Sequence, residues 1–133
     1  NSPATTKTTT TTEAKTKTEL LVYQDPSLYA VSGTEKRLLA TVEPGSRALR
    51  YVVDSKGAGT FYYATVDDNA YYTAVKKSDG KTSSDVYTIP KPEVNTALSV
   101  SADGKLIATT TDQGIEDIDE SDDLRQLINF TPL

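Results

Sequence analysis

Thr60-Phe61-Tyr62-Tyr63-Ala64-Thr65-Val66-Asp67-Asp68-Asn69-Ala70-Tyr71-Tyr72-Thr73-Ala74-Val75-Lys76-Lys77 decides the fold class. β-Branched and ring side chains dominate both halves of this stretch, and they fit a pleated, half-buried surface better than a helix. Asp67-Asp68-Asn69 interrupts them with residues that favour tight turns. The stretch reads as a hairpin with rings paired across its strands, a centre of sheet packing. Neighbours on a strand point to opposite faces, so one of Tyr62/Tyr63 and one of Tyr71/Tyr72 should turn to the core while the other two lie outward. Tyr62, Tyr63, Tyr71 and Tyr72 are therefore the candidate ligand-binding residues. The outward rings either cover a neighbouring sheet or loop, or offer a stacking surface to a sugar or peptide.

The same alternation of short apolar runs and turn formers extends in both directions. It predicts eight or nine strands: 20–23, 28–32, 36–42, 48–54, 60–66, 70–77, 85–89, 97–101 and 105–111. Between them stand Gln24-Asp25-Pro26, Ser32-Gly33-Thr34, Glu43-Pro44-Gly45, Lys56-Gly57-Ala58-Gly59, Ser78-Asp79-Gly80, Pro90-Lys91-Pro92 and Asp103-Gly104. Such spacing is that of antiparallel meanders. The fold class expected is all-β, one domain over 20–133, built of meander hairpins as part of a propeller or as a β-sandwich.

Leu98-Ser99-Val100-Ser101-Ala102-Asp103-Gly104-Lys105-Leu106-Ile107-Ala108-Thr109-Thr110-Thr111 resembles the hairpin of TolB-like β-propeller repeats, in which a Pro/Ser-x-Asp-Gly-Lys turn joins an apolar strand to the next. Leu28-Tyr29-Ala30-Val31 followed by Gly33-Thr34-Glu35-Lys36-Arg37-Leu38-Leu39 resembles the outer hairpin of such a blade. The two pieces cover about a quarter of the chain. Ser101-Ala102 stands where the family has Ser-Pro, and no Trp or Tyr closes the strand. A closed propeller needs at least four blades of ~40 residues, more than this chain supplies. The resemblance thus implies a fragment of a longer propeller or a propeller completed by several chains, with a β-sandwich that shares only the hairpin chemistry as the other solution. It transfers no binding residue.

Ahead of Leu20 the character is different. Asn1 to Glu19 contains nine Thr among nineteen residues, and its only apolar groups are Ala and Pro. Such a segment cannot offset the ~1–2 kcal/mol per residue that backbone ordering costs, so it is expected to be a disordered linker. A surface spacer, an O-glycosylated stalk, and an extra strand captured by a neighbouring subunit are its three readings. The chain opens on Asn1 without Met, which predicts a cleaved signal or anchor upstream. An extracellular, cell-surface or periplasmic location follows as the expectation, with any membrane attachment made through the removed anchor, since the chain contains no run approaching the ~20 apolar residues of a membrane span.

The chain has no Cys, His, Met or Trp. Thiol and imidazole nucleophiles, disulfides, and the ligands of zinc, copper, haem and iron–sulfur centres are all excluded, leaving only oxygen-ligated hard cations. Net charge is −5. It is concentrated after Thr111, and no basic stripe of the kind nucleic acid requires is present. Asp117-x-Asp119-x-Ser121-x-Asp123 has the alternating oxygens of a calcium loop, which makes Asp117, Asp119 and Asp123 the candidate ligands. Asp122 and Ile128, however, stand where the helix–loop–helix version needs Gly and Glu, so the plain alternative is a solvated acidic turn. Ser121-Asp122-Asp123 followed by Leu124, Leu127 and Ile128 predicts one short amphipathic helix ending near Phe130. Asn129-Phe130-Thr131 is a formal N-glycosylation sequon, weakened by Pro132.

No catalytic motif emerges. Carboxylate pairs and Ser–Lys pairs can be drawn from the sequence, but nothing fixes their separation, and Gly57-Ala58-Gly59 lacks the Lys and helix of a phosphate loop. A Lys–Asn isopeptide bond would suit the composition, yet no flanking pattern marks Asn69, Asn95 or Asn129. The expectation is a non-enzymatic binding or scaffold module meeting protein or glycan at the cell surface. The alternative is a subunit of a surface filament or layer that self-associates by lending its N-terminal arm to the next copy's sheet.

Overall fold

A computed structural model of the protein describes residues 19–111 and 128–133. Among these residues ten strands run in chain order: β1 (Leu20–Gln24), β2 (Ser27–Ser32), β3 (Glu35–Thr41), β4 (Arg47–Val53), β5 (Gly59–Val66), β6 (Tyr72–Ser78), β7 (Ser83–Thr88), β8 (Asn95–Val100), β9 (Leu106–Thr111) and β10 (Ile128–Pro132), with a 3-10 turn at Pro92–Val94. They form three antiparallel meanders, β1-β2-β3, β4-β5-β6-β7 and β8-β9-β10, each strand paired with its neighbour in sequence. The chain is all-β, as its alternation and turn chemistry require.

The middle sheet is covered on both faces. Phe61 and Tyr63 point from β5 toward the first sheet, where they join Leu28, Ala40 and Val42 in one buried cluster. Ala64 and its partner Val75 lie on the opposite face, both fully buried. On that side Val100 of β8 and Ile107 of β9 are buried in turn. Each fully buried aromatic or aliphatic side chain contributes about 1.5–3 kcal/mol. The hairpin 60–77 is the packing centre, but it serves two interiors. Of its rings, Tyr62 turns to the third sheet, where it bonds the Gly104 carbonyl.

Two bonds tie the middle sheet to the third: Arg50 Nε donates to the Val100 carbonyl at 2.7 Å, and the Tyr62 hydroxyl to the Gly104 carbonyl at 3.3 Å. β4 and β8 lie side by side here. β1 and β4 likewise flank one cleft. β4, the first strand of the middle sheet, thus neighbours both β8 and the cleft that β1 borders.

The structure differs from sequence expectation at the C-terminus. Ile128 to Phe130, expected as the last turn of a helix, are extended in β10 and pair with Thr110 to Ala108. Edge pairing with β9 satisfies backbone groups that a short helix would leave open at its ends. The start of that expected helix lies outside the described residues, as does most of the N-terminal arm.

Candidate functional site

The two turns flanking the first sheet build the site's frame. Asp25, in the turn after β1, accepts from the Gly45 amide at 2.9 and 3.0 Å and from the Tyr23 hydroxyl at 2.8 Å. One carboxylate thereby joins the β1–β2 turn to the β3–β4 loop. Burial, helped by the Asp25 bond and charge, pushes the Tyr23 phenol above its ordinary range, so it stays a neutral donor. The Tyr23 ring sits 5.8 Å from Phe61, which in turn stacks 5.6 Å from Tyr63.

At the far end of this ladder Tyr63 donates to Glu43 Oε1 at 2.9 Å. Lys76 Nζ lies 3.0 Å from Glu43 Oε2 and 3.4 Å from Asp85. Lys76 is the partner that compensates this Glu43 oxygen. Burial raises the Glu43 carboxyl, but the Lys76 and Tyr63 hydrogen bonds and the Lys76 charge outweigh it and hold the group below its ordinary value. Burial raises Tyr63, with the Glu43 bond in support. The Glu43 hydrogen bond raises Lys76. This network clamps the β3–β4 loop to the middle sheet.

Between β1 and β4, beside this aromatic ladder, lies a cleft of about 160 Å³. Leu28 and Phe61, both buried, make its floor beside Tyr23. Leu21 of β1 and Leu49 and Tyr51 of β4 form its walls, with Arg50 also lining it. An apolar cavity of ~150 Å³ accommodates one benzene ring. The cleft is therefore the size of a single aromatic or branched aliphatic side chain. Its lining includes one cation, Arg50, and no acid.

The four candidate tyrosines do not share one face. Tyr63 is fully buried between the first two sheets, while Tyr62 is half-buried against the third. Tyr71 is 40% exposed just ahead of β6, and Tyr72 is half-buried within it. Asp117, Asp119 and Asp123 lie outside the described residues. Among the described residues, no group of three or more acidic side chains gathers as a metal centre would require. Asn129 is exposed on β10. Sequence reasoning missed the cleft residues. Leu21 and Tyr23 alternate onto one face of β1, and that was the available signal, but only the packing of the two sheets shows that β4 stands opposite.

Fold and site together define an all-β module of three antiparallel meanders with an apolar, aromatic-lined cleft. Compared with known families, characterised proteins and solved structures, the chain matches none.

Proposed function

We propose that the protein is a non-catalytic extracytoplasmic binding and scaffold module, carried on its Thr-rich arm, that recognises a partner protein through one apolar anchor side chain. The observation that carries this reading is the cleft between β1 and β4, whose floor of Tyr23, Leu28 and Phe61 is apolar and held in place by the Asp25 bonds. The polar side chains nearby are engaged in structure: Asp25 and Glu43 hold loops and sheets together, and Arg50 bonds the Val100 carbonyl. Preformed clefts with a small number of oriented polar groups are the usual form of recognition sites.

The test is a screen of the full chain against peptides bearing single aromatic or aliphatic anchors, run beside a glycan array. Peptide binding abolished by Leu49→Trp, which fills the cleft from its wall, is the expected result. Binding to glycans alone, or peptide binding indifferent to Leu49→Trp, would sink the reading.

A further inference from the structure

Gly57 and Gly59 stand two residues apart after β4, yet they are glycine for different reasons. Gly57 has φ of +86°, inside the turn that Asp54 braces by accepting from the Lys56 and Ala58 amides. Gly59 opens β5 opposite Val53, and its backbone is not left-handed. A glycine is conformationally costly within a strand, so this one needs another cause. Tyr51 is that cause. A Cβ on Gly59 would land inside the Tyr51 phenol, overlapping its oxygen and Cζ, with Cε1 at 2.9 Å. Tyr51 pairs directly with Phe61, so Gly59 is its diagonal neighbour on the same face of the sheet. The ring lies across the place where a side chain at 59 would stand, as aromatic rings do over other strand glycines.

Tyr51 also lines the cleft between β1 and β4, together with Leu49 and Phe61. Resting on Gly59 carries its ring along β4 toward Val53 and away from Leu49, the other wall residue of that strand. A tyrosine side chain has only a few staggered positions to choose from. If the place over Gly59 were filled, the ring would have to turn to another, and the open volume it already borders is the cleft.

We propose that Gly59 is the positioning residue that sets the specificity of the cleft: by lacking a side chain it parks the Tyr51 ring on the sheet and keeps the cleft open to one anchor ring or branched aliphatic group. This role rests on the recognition proposed for the cleft and adds the residue that sets its width. A Cβ at position 59 drives the Tyr51 ring over the opening, and a shorter residue 51 widens it.

Toluene, titrated into the full chain while the Leu21 and Leu49 methyl resonances are followed, probes the opening without any partner protein. The wild type should bind it, and Gly59→Ala should bind it about tenfold or more weakly. Tyr51→Val should shift the preference from toluene toward the larger indole. Adding Gly59→Ala to Tyr51→Val should then change nothing, because the new methyl meets no ring, and that dependence on residue 51 separates positioning from a general loss of stability. Should Gly59→Ala alone not fold, the double variant must still fold and bind both probes as Tyr51→Val does. A wild type whose methyls ignore toluene, Gly59→Ala binding it as the wild type does, or a loss that is equal with and without Tyr51→Val would each overturn the proposal. Toluene binding that follows this pattern in a chain that takes no anchor peptide would sink the proposed function and uphold the role of Gly59. Anchor-peptide binding that survives Gly59→Ala would do the reverse.

Discussion

Gly104 shows how much a single position carries. Its backbone is left-handed, with φ of +74°, and a Cβ there would stand 2.8 Å from the Tyr62 hydroxyl oxygen. Only glycine satisfies both conditions, since the left-handed region costs other residues about 1–2 kcal/mol before any collision. Gly104→Ala should therefore lower stability by about 2 kcal/mol or more, read as a shift in the urea midpoint. Tyr62→Phe in the same chain removes the nearest colliding atom and should recover some of the steric part, with ring carbons still 3.1 Å away, while leaving the backbone part. The two losses would add only if the contact were absent.

At the scale of the element, the Ser101 to Lys105 turn explains its own sequence. The Ser101 hydroxyl donates to Asp103 at 2.7 Å and accepts from the amides of Lys105 and Leu106 at 3.2 and 3.0 Å. The Ser101 bond and the Lys105 amide keep the exposed Asp103 carboxyl below its ordinary value. Ser101→Ala should speed amide exchange at Lys105 and Leu106 and cost about 1–2 kcal/mol, the usual effect of removing a shared partner from local bonds. Ser78-Asp79-Gly80-Lys81 uses similar chemistry, with Asp79 accepting from the Lys81 and Thr82 amides at 2.8 Å. This local logic is why the strands were legible in the sequence: turns are decided within five residues, and all nine expected strands stand within about two residues of their observed bounds. β10 was not legible, because Ile128 and Phe130 fit either a helix face or one side of a strand until β9 is there to pair with them. The cleft was not legible either. It depends on Tyr23 and Tyr51 lining one space from two different sheets, a relation that no local pattern encodes.

For the whole molecule, the Glu43–Lys76 clamp sets how stability responds to pH. Glu43 lies below its ordinary value of 4.5 when folded, so its contribution is present above that pH and is lost as pH falls through the lower folded value. Lys76 lies above its ordinary 10.5, so its contribution is present below that pH and is lost as pH rises through the higher folded value. Stability should be level between these limits and decline on both sides. Glu43→Gln should reduce both declines, because the same pair produces them. With the Glu43 side chain 44% exposed, solvent screening keeps the effect near about 0.5–1 kcal/mol. Denaturation midpoints across pH for the two proteins measure it, and an unchanged acid limb would show that the clamp is not responsible.

The two-sided burial of β5 has a consequence for misfolding. Odd positions such as Phe61 and Tyr63 fill one interior, and even positions such as Tyr62 and Ala64 fill another. A slip of one residue along the ladder would preserve most backbone bonds yet force Tyr where Ala fits and Ala where a ring belongs, in both interiors together. Misregistered pairing is thus penalised twice over, and the hairpin most exposed to slippage by its run of similar side chains is the one least free to slip.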